Sequence, residues 1–402
     1  MTREKSLTDE AADKGFLLRV YRGDSWPASS RYGTSGSDTV TLIRIPVNAG
    51  PVYSCVSDRP MRKTYTRRDS LKLMGSALVG SQVVGSASLS AAPTTGVRAV
   101  RDEDMRGIFV ILSTPYTESG AVDYDDLAFQ VEWLDHAGVH GLVWPQNSSD
   151  YTRLTTDEIK RGMEVLTRAN QGRSMTLVLG VQQDSTPELV KLATFAEALE
   201  PDMMIAMPPK VGSTLDDYRE YYSALAEVTM RPIMIQTTPN LPGLVVETDL
   251  ILELAARYPH LGYVKEEWQP VFERISALVG QPQIQRVYSA MRGRYFAYDL
   301  RLGVDGLVSG MAMYAEVFVR MWTASRAGDW DEVRDIHGKL LVMLTCETEI
   351  PGAGRYLLQR RGIFKSRAQR GRDYSLSAVQ IAEIEHNLKG LEPYLVPMPA
   401  RG

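Results

Sequence analysis

The sequence predicts an α/β protein, a (β/α)8 barrel with additional C-terminal helices, and three observations carry that expectation. Short apolar runs alternate with amphipathic stretches eight times from Gly107 onward, the order of a parallel barrel. A composition of 44% hydrophobic and 23% charged residues supplies a large core under an ordinary soluble surface. No Gly-x-Gly-x-x-Gly follows the first strand, which leaves the competing doubly wound open sheet without its nucleotide-binding signature.

GIFVILSTP, beginning at Gly107, reads as the first strand, and DYDDLAFQVEWLDHAG as a helix with Leu127, Val131 and Leu134 on one face. HGLVWP is the second strand. Its helix begins at Thr155, whose hydroxyl caps the end while Glu158 returns the bond in a capping box. SMTLVLGV is the third strand, and the following helix opens with Pro187 in its first turn. DMMIAMP, RPIMIQTTP, LGYVKEE, IQRVYSA and VDGLVSG supply the other five strands. Helices fall near 214–228, 247–257, 268–279 and 291–302, with a final pair beyond 311. These boundaries place the barrel at 105–311 and a helical extension at 312–395. Methionines such as Met203, Met204 and Met207 are expected to fill the barrel and its helix layer.

The first hundred residues read differently. Residues 1–60 show no sustained period and are expected to be disordered or to lie upstream of the structural chain. Residues 61–92 run basic, apolar, small, the layout of a secretory signal. Within them, Arg67 and Arg68 open the run RRDSLK, which resembles the twin-arginine export motif. The glycine-interrupted apolar stretch behind it is too polar to span a bilayer. The expected product is therefore periplasmic or secreted, with no membrane attachment after signal cleavage.

Charge and residue counts remove several classes of function. A net charge of −4, without a basic cluster in the second half, gives no electrostatic reason to expect nucleic acid. Two cysteines, Cys55 and Cys346, exclude a disulfide framework and a cysteine-rich metal site. His136 and His140 are four apart, but Gly138 between them marks a helix end and no Glu follows in zinc-site spacing, so no metal site is expected.

In a barrel of this kind the working residues stand at the carboxyl ends of strands. That rule selects Ser113 and Thr114, Gln146 to Ser149, Gln236 to Thr238, Lys265, Ser289 and Ser309. Lys265 stands out because it ends an apolar strand. Burial in a barrel mouth disfavours the ammonium form and raises the nucleophilic fraction, so the amine can condense with a ketone. The alternative is that Lys-Glu-Glu at 265–267 is a solvated charge run on a loop. Trp144 is expected in the core, the alternative being an aromatic that narrows the mouth or stacks on a substrate, and Arg355, Arg360 and Arg361 are expected as surface or interface charges.

STPYTESGAVDYDDL from Ser113, LTTDE at 154–158, YVKE at 263–266 and GVDGLVSG at 303–310, in this order and spacing, resemble the dihydrodipicolinate synthase and N-acetylneuraminate lyase family. The resemblance runs from about Met105 to Leu395. It implies a TIM barrel with C-terminal helices, a homo-oligomer (dimer or tetramer), and Lys265 as the lysine that forms a Schiff base with pyruvate or another 2-oxo acid. No cofactor is expected, because the iminium itself is the electron sink.

Two departures from the family pattern shape the functional expectation. The Gly-framed hydroxyl turn that holds the substrate carboxylate is replaced by Gln146-Asn147-Ser148-Ser149-Asp150. After the fifth strand, Gln236 stands where the family has a proton-relaying tyrosine, and an amide is no acid or base near neutral pH. The tyrosine pair after the fourth strand is also missing from MPPKVGS. Proton transfer then falls to Tyr116, Tyr151, water or the substrate. The expected function is a lyase or aldolase acting on a 2-oxo acid or sugar acid. Lys265, Gln236 and Tyr151 are its catalytic candidates, and Thr114, Asn147, Ser148, Thr238 and Ser309 its substrate contacts. The alternatives are a Schiff-base dehydratase or decarboxylase, and a non-catalytic barrel that binds an oxo acid.

Overall fold

A computed structural model describes residues 102–209, 214–238 and 244–401. The 1–60 segment and the 61–92 segment, expected to be an export signal, lie outside the described residues. Eight parallel strands close into a barrel in sequence order: β1 (Gly107–Ile111), β2 (Gly141–Trp144), β3 (Thr176–Gly180), β4 (Met203–Ala206), β5 (Ile233–Gln236), β6 (Tyr263–Lys265), β7 (Arg286–Ser289) and β8 (Gly306–Ser309). The barrel closes where β1 pairs with β8, Gly107 opposite Gly306. A Cβ on Gly306 would lie 2.0 Å from the Gly107 carbonyl oxygen, so the seam requires glycine there.

Strand alternation divides the apolar residues into two layers. Phe109, Ile111, Val143, Val178, Met203, Ile205, Met234, Tyr288 and Val308 fill the barrel interior, while Ile108, Val110, Leu142, Met204 and Val264 face the helices. The interior is packed up from its amino end, where the Tyr288 hydroxyl donates to the Met105 carbonyl at 2.7 Å. Methionine therefore serves both layers, as its flexible shape allows.

The helices are α1 (Tyr124–His136), α2 (Thr156–Ala169), α3 (Thr186–Glu197), α4 (Leu215–Val228), α5 (Thr248–Arg257), α6 (Val271–Leu278) and α7 (Phe296–Leu302). Local chemistry starts several of them. Asp123 accepts from the Asp126 N–H, and Thr155 with Glu158 forms the expected capping box. His136 ends α1, and Gly138 follows at φ +76°, so His140 is off the helix; its Nδ1 accepts from the Ile108 N–H.

Helix α8 (Ala315–Ala327) packs against β1 and closes the ring, so the eighth barrel helix lies past residue 311. Beyond it run α9 (Trp330–Glu349), α10 (Ala353–Arg360) and α11 (Ala378–Lys389). This extension is tied to the mouth. The Arg370 guanidinium donates to the Gly120 and Arg153 carbonyls and to Glu158, and Lys365 N–H donates to Asp126. Arg361 pairs with Glu316 at 2.7 Å, both buried, whereas Arg360 is a surface partner of Glu385.

Candidate active site

Met234 and Tyr263 face the barrel axis, and two residues further along the same strands so do Gln236 and Lys265, which stand opposite each other in register. The alternation continues past the end of β6. Lys265 points inward, Glu266 outward and Glu267 inward again.

Glu266, fully buried, lies beside Arg274 at 3.1 Å and accepts from the Thr237 hydroxyl at 2.7 Å and the Trp268 N–H at 2.8 Å. Arg274 also donates to the Val246 carbonyl at 2.7 Å. Burial pushes the Glu266 carboxyl above the ordinary carboxylate range, with Arg274 opposing. This outward network fixes the chain where it leaves the strand.

The inward pair lines a chamber of about 330 Å³, together with Asn147, Ser148, Gln236 and Ser309. Lys265 Nζ donates to Glu267 Oε1 at 2.9 Å, Gln236 Nε2 donates to the same oxygen at 2.6 Å, and the Thr238 hydroxyl donates to it as well. Burial alone would raise the Glu267 carboxyl, but the Lys265 charge and the three donated bonds outweigh it and hold the group below the usual range. Lys265 is thus buried as the sequence anticipates, with a carboxylate countercharge that the sequence reading treated only as part of a charge run.

The turn after β2 is held rigid from behind. Ser149 Oγ donates to the Leu112 carbonyl at 2.6 Å and accepts from the Gln146 N–H, while the Gln146 amide donates to Gln182. The Thr114 hydroxyl donates to the Ser149 carbonyl and accepts from Trp144 Nε1 at 3.1 Å. Gln146 and Ser149 are consequently buried, and Asn147 and Ser148 are exposed at the tip toward the chamber. Gly310 lets the tip sit this low, since a Cβ there would be 2.4 Å from Ser148 Cβ.

The chamber therefore brings together Lys265, Gln236, Asn147, Ser148 and Ser309, with Thr238 holding Glu267. Thr114 and Tyr151 are not among the residues that line it. Thr114 is spent bracing the turn, and Trp144 is core, as expected. Tyr151 is buried, and burial with the Asp184 charge pushes its hydroxyl up to about 12, which suits it poorly for moving protons near neutrality. Tyr116 is likewise buried, with the Arg355 and Arg370 guanidiniums over its ring.

An outer cleft of about 430 Å³ shares Asn147, Ser148 and Arg292 with the chamber. Arg292, in the left-handed region at φ 58°, donates to Glu347 at 2.6 Å, and the Tyr314 hydroxyl holds the other Glu347 oxygen. Arg355 corrects the sequence reading: it is 9% exposed, lines this cleft and approaches Asp150 at 3.5 Å. Arg372 and Tyr374 complete the wall. Of the residues missed, Glu267 could have been found by carrying the strand period two positions past Lys265. Arg292 and Arg355 carry no such local signal.

Residues 104–370 match the Dihydrodipicolinate synthetase family. A protein of Pyrococcus abyssi described as an uncharacterized DapA-like lyase is 26% identical over 235 residues, 57% of this chain and 77% of that one. The 4-hydroxy-tetrahydrodipicolinate synthase of Methanococcus aeolicus is 27% identical over 244 residues, 60% of this chain and 82% of the other. The crystal structure of dihydrodipicolinate synthase from Rhodopseudomonas palustris shares the fold, with a TM-score of 0.65 at 20% identity over 72% of this chain and 98% of that one. With the family match spanning the closed barrel, the lysine at the end of β6 and the turn after β2, this chain belongs to the dihydrodipicolinate synthetase family.

Proposed function

We propose that the protein is a lyase that binds a 2-oxo acid as a Schiff base on Lys265 and makes or breaks a carbon–carbon bond beside the iminium. The observation that supports this reading is the buried Lys265 amine, reaching into a chamber whose other side presents Asn147 and Ser148. A 2-oxo acid fits that spacing in kind. Its carboxylate takes the polar tip of the β2 turn, and its carbonyl carbon meets the amine. In the outer cleft Arg292 and Arg355 are matched by Glu347 and Asp150, and Arg372 adds one further positive charge toward an acidic substrate.

The amine adds to the carbonyl, water leaves, and the cationic iminium withdraws electrons from the adjacent carbon. No metal or organic cofactor is needed for that step. Relatives named as synthases support the class of chemistry, while Gln236 and the β2 turn of this chain argue for a different partner substrate. The homo-oligomeric state and export behind the 61–92 signal are part of the same proposal.

The test is intact mass after borohydride reduction with pyruvate and a panel of 2-oxo acids, alongside Lys265→Ala. An adduct on the wild type that the variant lacks is the expected result. Two carbon fragments in the product identify cleavage, and one retained skeleton identifies dehydration. A folded wild-type protein that gives no adduct with any acid would leave an oxo-acid-binding barrel as the better account.

A further inference from the structure

We propose that Glu267 is the acid–base group of the Lys265 reaction, the proton carrier that this chain uses in place of a tyrosine. The inference rests on the Schiff-base reading above. Three donors, Lys265 Nζ, Gln236 Nε2 and Thr238 Oγ1, converge on one oxygen, Glu267 Oε1. Among the described residues, no side chain donates to Oε2, and Glu267 lines the chamber. One oxygen is therefore anchored at the amine while the other is left for a bound molecule.

Elimination points the same way. The other chamber residues are apolar, amide, hydroxyl or guanidinium groups, such as Ile111, Asn147, Ser309 and Arg294. None of these exchanges protons readily near neutral pH. The 2.9 Å between Nζ and Oε1 lies within the range for direct proton transfer, roughly 2.6–3.2 Å. The role of Gln236 changes accordingly. Its amide orients the carboxylate and has no proton to relay.

The proton inventory balances. At rest the Lys265 charge and the donated bonds hold Glu267 as the carboxylate, and transfer of the lysine proton removes the largest influence that keeps its value low. Glu267 takes one proton from Lys265, and the freed amine adds to the ketone carbon. A proton shift from nitrogen to the alkoxide gives the neutral carbinolamine. Glu267 returns its proton to the carbinolamine hydroxyl, which leaves as water and generates the iminium cation beside a carboxylate. The same carboxylate then removes a proton from the carbon next to the iminium, giving the neutral enamine and a protonated Glu267. The enamine carbon is the nucleophile in the synthetic direction. In cleavage the substrate ketone forms its iminium by the same first steps. The carboxylate takes the proton of the hydroxyl beyond the breaking carbon–carbon bond as the enamine forms, and Glu267 then returns that proton to the enamine carbon before water releases the 2-oxo acid.

The experiment uses pyruvate as the probe and reads two quantities on the whole protein. One is the borohydride-trapped adduct at equilibrium. The other is deuterium incorporation at the pyruvate methyl group in heavy water, followed by NMR. Glu267→Gln is expected to retain the adduct after long incubation and to lower the exchange rate by about 100- to 10,000-fold. Glu267→Asp recovers part of that rate, and added formate restores exchange to Glu267→Ala, which a merely structural carboxylate would not allow. Exchange by Glu267→Gln within about tenfold of wild type, with the adduct present, would overturn the assignment. Absence of both adduct and exchange in the wild type would instead remove Lys265 chemistry altogether.

Discussion

Replacing Arg274 by Met isolates the energetics of the outward network behind Lys265. Arg274 and Glu266 side chains are 8% and 0% exposed, and their charged groups lie 3.1 Å apart. Removing the guanidinium leaves a carboxylate with no countercharge in a dry site, which typically costs about 3–5 kcal/mol. The Val246 carbonyl also loses the bond it accepts from Arg274, a smaller and overlapping loss. The melting temperature should fall on the order of 10 °C for a chain of this size.

The sign of the pH dependence follows from Glu266. Its folded value is already above 4.5 through burial, and Arg274 is the largest influence restraining it. Without Arg274 the folded carboxyl rises further, so the folded variant holds a proton that the unfolded chain has released. The variant's deficit relative to wild type is therefore small below the wild type's folded value, grows as pH rises from there through the variant's higher folded value, and is complete above it. Urea unfolding followed by circular dichroism at about pH 5 and about pH 8 measures both ends of that window. Adding Glu266→Gln to Arg274→Met should recover most of the loss at the higher pH. A deficit below about 1 kcal/mol, or one equal at both pH values, would refute the reasoning.

Other consequences can be checked separately. Gly310→Ala puts a methyl group 2.4 Å from Ser148 Cβ and forces the turn tip back. One hydrogen bond to a substrate carboxylate, about 1.5–3 kcal/mol, is then lost, and KM should rise about 10- to 150-fold with little change in kcat. Asp299, buried and bonded by Ser289, is raised from 3.8 to about 6, chiefly by desolvation. Its folded form keeps a proton that the unfolded form loses, so it contributes no penalty below the unfolded value. The penalty then grows with rising pH to roughly 3 kcal/mol above the folded value. Asp299→Asn should be more stable than wild type at about pH 8 and equal to it at about pH 4, which unfolding at the two pH values tests. Changing Arg67 and Arg68 together to Lys should retain the protein in the cytoplasm of its producing cell, and fractionation with undiminished export would exclude the twin-arginine route.

The barrel was legible because each strand and cap is a local event. GLVW, TLVLG and MMIA announce themselves by composition, and Thr155 with Glu158 sets a helix start within four residues. Lys265 was legible for the same reason, as a charge at the end of an apolar run. Its environment was not. Glu267 belongs to the site because alternation persists beyond the strand's hydrogen bonding, while its neighbour Glu266 turns to Arg274. Thr114 and Tyr151 have residue types suited to a site, yet backbone bracing claims one and the core the other. Arg355 lies more than 200 residues from the Asp150 it approaches, and no sequence period links them.

Arg370 also bears on the order in which the molecule is made. A chain leaving the ribosome amino end first can close β1 to β8 and bury Lys265 while residues 353–374 are still unsynthesised. Arg355, Arg372 and Tyr374, which wall the outer cleft, arrive after the barrel, and with them comes the arginine that ties Gly120 and Arg153 down. A nascent or truncated chain ending before Arg370 would hold Lys265 in a barrel that lacks the Arg372 and Tyr374 wall and the Arg370 bonds to Gly120 and Arg153. The wall around the lysine proposed to react is thus supplied by residues made after the barrel that buries it.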